Sequence, residues 1–279
     1  MYSSLIEAQD VYLILQDPGT VVVDCRFSLS GPELGRKAYL AGHIPGAIYA
    51  HLDEDLSARV IPGKTGRHPL PDVAHCEQLF SKWGIDASVQ VVVYDDQGGA
   101  FAARLWWLLH WLGHEKVAVL NGGWKSWNDK MLPVATNILF KNPRLFVASL
   151  QESLMVSADD LLDNLTSYRF RVIDARAAER YSGEVEPIDP VAGHIPGAGN
   201  LPYSENLDAN GRFRSAELLL DRFRSLGSPT QTVFYCGSGV TACHNALAYY
   251  HAGLGMPKIY PGSWSEWITD VSRPVERGS

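Results

Sequence analysis

The chain is written twice. Gly42-His-Ile-Pro-Gly-Ala47 returns as Gly193-His-Ile-Pro-Gly-Ala198. Upstream of each copy, Val22-Val-Asp-Cys-Arg26 matches Val172-Ile-Asp-Ala-Arg176. Downstream, Val91-Val-Val-Tyr-Asp95 aligns with Thr232-Val-Phe-Tyr-Cys236, and Gly122-Gly-Trp-Lys-Ser-Trp127 with Gly262-Ser-Trp-Ser-Glu-Trp267. Four elements recur in one order, and their offset drifts only by what loops tolerate. Such self-similarity fixes the architecture before any residue receives a role. A chain of 279 residues then divides into two domains of about 140 residues, each long enough to bury a core. The first is placed at 1–142 and the second at 153–279, with a linker at 143–152 that Pro143 punctuates.

Within each copy, short apolar runs alternate with helical patterns. Val21 to Asp24, Val89 to Tyr94 and Lys116 to Leu120 read as strands, and Phe101 to Leu112 as a helix between the last two. Strands written as continuous valine runs, separated by helices, predict a mainly parallel sheet covered by helices on both faces. In an α/β fold of this type the working site lies outside the C-terminal ends of the strands. Cys236 and Asp95 both fall there.

Bulk composition excludes several classes. Hydrophobic residues make up 46% and charged residues 20%, as in an ordinary globular protein. A net charge of −7 argues against a nucleic-acid partner held by a basic surface. The first residues lack a basic segment followed by an apolar core, and no run approaches a membrane span, so a soluble cytoplasmic protein is expected. Four cysteines without scaffold or Cys-x-x-Cys spacing suit a reducing compartment and imply neither a zinc site nor a redox pair. No cofactor, metal or nucleotide motif is present, and none is expected.

The chemistry is concentrated at Thr232-Val-Phe-Tyr-Cys236-Gly-Ser-Gly-Val-Thr-Ala242. A β-branched and aromatic run ends at Cys236, Gly237 and Gly239 follow, and a helix begins near Ala242. A thiol there faces loop N–H groups and a helix N-terminus, both of which favour negative charge and hence the thiolate. The glycines fit a tight cradle that needs positive φ or close backbone approach. Cys25, Cys76 and Cys243 have no such setting and read as buried structural thiols.

These residues resemble a family. The paired Asp-x-Arg strand ends, the Gly-His-Ile-Pro-Gly-Ala turns and the Gly-Gly-Trp or Gly-Ser-Trp elements look like a tandem rhodanese-domain sulfurtransferase along nearly the whole chain. The Cys236-Gly-Ser-Gly-Val-Thr-Ala242 loop is similar to that of the 3-mercaptopyruvate sulfurtransferases; thiosulfate-specific members carry basic residues after the cysteine. The resemblance implies two rhodanese-like α/β domains, of which the first is inactive, with Asp95 at the cysteine position. It implies sulfur transfer from 3-mercaptopyruvate to cyanide or thiols, thioredoxin among them, through a Cys236 persulfide. It also implies that the loop at Gly237, Gly239, Val240 and Thr241 binds the donor anion, with Arg180 holding its carboxylate and Ser238, His68 and Asp55 assisting proton transfer. One departure stands out. Where mercaptopyruvate enzymes carry a second arginine, this chain has Asp189, so the carboxylate site is expected to be weakened and thiosulfate stays an alternative donor.

Shared residues supply an internal control. Asp24 and Arg26 recur as Asp174 and Arg176, His43 as His194, and Trp124 as Trp264. Because one copy lacks the cysteine, these pairs are assigned to turns and packing. A cysteine phosphatase would need an arginine at position 242, which is Ala, and the loop from Cys236 to Ala242 contains no cation. A noncatalytic or persulfide-carrying module serving a protein partner is the remaining rival. A monomer is expected, since two domains in one chain can cover their own inter-repeat face.

Overall fold

The computed structural model describes residues 1–278. The chain forms two compact units. One comprises Met1–Ala58, Pro71–Gln151 and Ala209–Phe213; the other comprises Arg59–Leu70, Glu152–Asp208 and Arg214–Ser279.

In the first unit the chain runs β1 (Leu5–Ile6), α1 (Ala8–Ile14), β2 (Thr20–Asp24), α2 (Glu33–Ala41), β3 (Ile48–Tyr49), α3 (Val73–Lys82), β4 (Gln90–Tyr94), α4 (Ala102–Trp111), β5 (Val117–Leu120) and α5 (Gly123–Asp129). The strands form one sheet in the order β1-β5-β4-β2-β3, every pair parallel. The valines of β2 and β4 are buried on both faces, as a helix-covered parallel sheet requires. The three strands and the helix predicted here each form, with ends shifted by one residue.

The second unit repeats the plan. It runs α6 (Ala158–Ser167), β6 (Arg171–Asp174), α7 (Ala178–Ser182), β7 (Gly199–Asn200), α8 (Ala216–Phe223), β8 (Thr232–Tyr235), α9 (Thr241–His251), β9 (Lys258–Ile259) and α10 (Ser263–Trp267). Its sheet is parallel in the order β7-β6-β8-β9. Val172, Val233, Tyr235 and Trp267 lie in its core, matching Val22, Val92, Tyr94 and Trp127 in the first, and buried Trp264 matches the partly buried Trp124. Among the described residues, no helix is long and apolar enough to cross a membrane.

The duplicated polar residues hold turns in both copies. Arg26 clamps Asp24 and reaches the Gly42 carbonyl at 2.7 Å, and Arg176 treats Asp174 and Gly193 in the same way. His43 stacks on Tyr39 and His194 on Tyr181, each with Nδ1 at 2.8 Å from that tyrosine's carbonyl. Each arginine also lies over a tryptophan, Arg26 over Trp124 and Arg176 over Trp264. All of this is turn architecture.

Helix α4 is buried along its whole length, and it carries a histidine. Burial pushes His110 down to about 4. The unfolded chain therefore takes up a proton first as pH falls, because a free histidine titrates near about 6.5. Stability contributed by neutral His110 is complete above about pH 6.5 and is lost down to about pH 4, by up to about 3 kcal/mol. Urea unfolding of wild type and His110→Gln at pH 7 and pH 4.5 should show a smaller acid loss in the variant. Equal losses in both would remove His110 from the account.

Candidate active site

Strand β8 delivers Cys236 to its C-terminal end, and the thiol residue is 2% exposed. The turn before α10 fixes the residues on either side. Cys236 N–H donates to Ser263 Oγ at 3.1 Å, while Trp264 N–H and Ser265 N–H donate to the carbonyls of Cys236 and Gly237 at 3.0 and 2.9 Å. Ser263 holds a left-handed backbone, φ 55°, and its hydroxyl also donates to the Tyr260 carbonyl at 2.9 Å. A non-glycine residue in that region costs on the order of 1 kcal/mol, and here two hydrogen bonds to Oγ keep it in place.

The two glycines do different work. Gly239 has φ 76°, and a Cβ there would lie 2.1 Å from the Pro261 carbonyl oxygen, so only glycine fits. Gly237 is not in the left-handed region. Its missing Cβ leaves room for cations: such an atom would meet Arg67 Nη2 at 2.8 Å and both terminal nitrogens of Arg180 at 3.6 Å. The loop contains no cation of its own, yet two guanidiniums converge on its first glycine.

Arg67 and His68 arrive from the segment Arg59–Leu70, which packs as part of the second unit. Gly66 permits this approach, since a side chain there would strike the Gly262 carbonyl at 2.6 Å and Ser265 Oγ at 2.8 Å. Arg67 N–H donates to Ser265 Oγ at 3.0 Å. The next residue, His68, is buried with Nδ1 2.7 Å from Ser238 Oγ. With the proton on Nδ1, the ring donates to Ser238 Oγ, which leaves the serine's own hydrogen free to be donated to a substrate oxygen.

Behind these cations lies an alternating chain of charges. Arg67 Nη1 donates to Asp189 Oδ1, and Arg180 Nη2 donates to Asp189 Oδ2 at 3.2 Å. Arg180 also binds Glu186, at 2.7 and 3.2 Å, and Glu186 receives Arg176 Nη1 at 3.2 Å. Arg176 completes the series on Asp174. Burial pushes the Asp189 carboxyl up from its usual value, with the Arg67 guanidinium opposing. Burial pushes the Glu186 carboxyl up, but the Arg180 guanidinium and the N–H groups of Asp189 and Ile188 together outweigh it and hold the group below its usual value.

The first unit reports where such a loop aims its N–H groups. Asp95, at the position of Cys236, is fully buried. Its carboxylate accepts the N–H groups of Gln97, Gly99, Phe101 and Ala102 at 2.8 to 2.9 Å. The cradle of that copy is therefore filled by its own anion. The repeat places Ser238, Val240 and Ala242 at the positions of Gln97, Gly99 and Phe101. Val240 is buried and precedes Thr241, the first residue of α9.

Of the residues expected at the site, Cys236, Gly237, Ser238, Gly239, Val240, Thr241, Arg180 and His68 all belong to the second unit. Asp55 belongs to the first, where its carboxylate accepts the His51 N–H at 2.7 Å and burial pushes its carboxyl up. The other thiols are structural in setting. Burial pushes Cys76 up to about 12 and Cys25 well above its usual value, while Cys243 Sγ sits 3.3 Å from the Gly239 carbonyl within α9. Glu33, His51 and Glu54 bring three ligand atoms within 4.8 Å of one another. They make a poor metal site: Arg36 pairs with both carboxylates, and His51 Nδ1 accepts two backbone N–H groups, which leaves the proton on Nε2.

Sequence reasoning missed Arg67, and with it the meaning of Asp189. The aspartate was expected to weaken the anion site by replacing an arginine. In the structure Asp189 holds Arg67 beside Arg180, so two guanidiniums are retained. The available signal was the neighbour relation: a loop that carries His68 to Ser238 carries Arg67 with it.

Comparison with known proteins agrees with this architecture. The Rhodanese-like domain model matches residues 7–130 and again 157–270. A Pseudomonas aeruginosa protein named "Probable 3-mercaptopyruvate sulfurtransferase" is 48% identical over 280 residues, covering 99% of each chain. A thiosulfate sulfurtransferase from Cricetulus griseus is 36% identical over 260 residues, 90% of this chain and 86% of that one. The solved 3-mercaptopyruvate sulfurtransferase of Leishmania major superposes with a TM-score of 0.83 at 32% identity, covering 95% of this chain and 74% of its own. The chain belongs to the rhodanese family and carries two rhodanese-like domains. Its relatives of known name on both sides of the donor question are sulfurtransferases.

Proposed function

We propose that the protein takes the thiol sulfur of 3-mercaptopyruvate onto Cys236 and passes it to a thiophilic acceptor. The observation that carries this reading is the Ser238–His68 pair, 2.7 Å apart, beside a loop on which Arg67 and Arg180 converge. The Cys236 thiolate attacks the donor sulfur, so an S–S bond forms and the C–S bond breaks. The electron pair moves into the keto acid, giving the enolate of pyruvate. Arg67 and Arg180 hold the donor carboxylate, as planar guanidiniums do through paired N–H groups. Ser238, backed by His68, donates to the developing enolate oxygen, and protonation at carbon completes pyruvate. The N–H groups of Ser238, Val240 and Ala242 stabilise the persulfide anion, in the role that Asp95 and its donors illustrate. Cyanide or a thiol such as that of thioredoxin then takes the outer sulfur, releasing the Cys236 thiolate in the second half of a ping-pong cycle.

Thiosulfate is a second donor reading, favoured by the same two guanidiniums, which suit a sulfonate as well as a carboxylate. Four buried cysteines, none in a disulfide, fit a reducing compartment such as the cytoplasm, and a monomer suffices for every residue named. Parallel steady-state assays of thiocyanate formation from the two donors test the assignment. The expected result is a higher kcat/KM for 3-mercaptopyruvate, with Ser238→Ala losing about 10²-fold in kcat on that donor and much less on thiosulfate, which releases no enolate. Preference for thiosulfate would reverse the donor assignment, and turnover of neither would leave a persulfide carrier.

A further inference from the structure

We infer that Asp189 sets the charge preference of the donor site, favouring a monoanionic donor over a dianionic one. The inference rests on the donor-site reading above and deepens it. Arg67, Asp189, Arg180, Glu186, Arg176 and Asp174 form one hydrogen-bonded series in which cation and carboxylate alternate. Three positive and three negative charges cancel before any donor binds. Both carboxylates beside Arg180 are almost wholly buried, at 3% side-chain exposure. The guanidiniums are the more open partners, Arg180 at 17% and Arg67 at 29%. A donor therefore meets two guanidinium faces whose charge is already matched from behind.

Such a site orients a carboxylate by hydrogen-bond geometry with little excess positive field. A compact dianion such as thiosulfate gains less, because its second charge finds no uncompensated cation. Asp189 is the carboxylate that bridges the two guanidiniums nearest Gly237, so it controls this balance most directly. It touches no reacting atom and acts through Arg67 and Arg180, as a positioning residue. Each of its oxygens takes a guanidinium N–H, which suits an ionised, acceptor-only group.

Removing the charge while keeping the shape isolates the effect. Asp189→Asn leaves a net positive charge that acts on each unit of donor charge, so a dianion gains twice the free energy of a monoanion. Binding is measured by calorimetry at low and moderate salt, with thiosulfate and with 3-mercaptopyruvate, in a Cys236→Ser background that cannot accept sulfur. Asp189→Asn is expected to tighten thiosulfate about tenfold and 3-mercaptopyruvate about threefold, with the thiosulfate gain shrinking as salt rises. Asp189→Glu, which keeps the charge, should hold the affinity ratio near that of the Asp189 parent. If Asp189 were only a structural prop, both donors would weaken together and their ratio would stay fixed; that result overturns the inference. A ratio that moves toward 3-mercaptopyruvate, or no binding by any variant, also overturns it. Wild-type turnover of 3-mercaptopyruvate, assayed separately, tells whether the donor-site reading stands when the charge inference fails.

Discussion

Cys236→Ser is expected to abolish sulfur transfer from either donor, with kcat falling by on the order of 10⁴ or more. The substitution changes one atom at a position that is 2% exposed, so the fold should hold. A serine hydroxyl is far less acidic than a thiol and cannot store sulfur as a persulfide, so both half-reactions are lost together. Thiocyanate formation reads the effect directly, and circular dichroism checks the fold. Cys76→Ala serves as the contrast: that thiol is buried in α3 and held protonated, so its loss should cost stability and leave kcat unchanged. A Cys236→Ser protein that kept a tenth of wild-type activity would mean that another group carries the sulfur.

The second large effect lies in the copy without a cysteine. Asp95→Ala should destabilise the protein by on the order of 4 kcal/mol, a large fraction of the 5–15 kcal/mol that holds most domains. Four backbone N–H groups at 2.8 to 2.9 Å converge on that carboxylate in a fully buried site. Deleting the acceptor orphans all four, at about 1–3 kcal/mol each before relaxation. Urea unfolding measures the loss; a change below about 1 kcal/mol would show that the loop rearranges and that Asp95 is no plug. The same arithmetic explains why an aspartate can stand where the other copy has a thiol. The loop requires an anion or an acceptor at that point, and a carboxylate satisfies it permanently.

Much of this was readable from residues alone. The repeated Gly-His-Ile-Pro-Gly-Ala turns fixed two copies, and valine runs such as Val91–Tyr94 fixed buried parallel strands, because both signals are local and periodic. Cys236 could be placed for the same reason: strand, glycines and helix follow one another in a single stretch. The cations behaved differently. Arg67 meets Asp189, and His68 meets Ser238, across more than a hundred residues of chain. No periodicity marks 59–70 as a segment that packs with the second unit; its cue is Gly66, whose missing side chain admits Gly262 and Ser265, and a lone glycine in a loop says little by itself. Asp189 was read incompletely for a related reason. Charge at one position was weighed without the partner that the fold brings to it.

The central claim is that Cys236 carries the transferred sulfur. Mixing the protein with one equivalent of 3-mercaptopyruvate, without acceptor, and taking its intact and peptide mass tests it most directly. The account predicts a chain heavier by one sulfur atom, located on the Cys236 peptide, matched by one equivalent of pyruvate and returned to its original mass by cyanide. Pyruvate released with no added sulfur on Cys236, or sulfur found on Cys25, Cys76 or Cys243 instead, would contradict it.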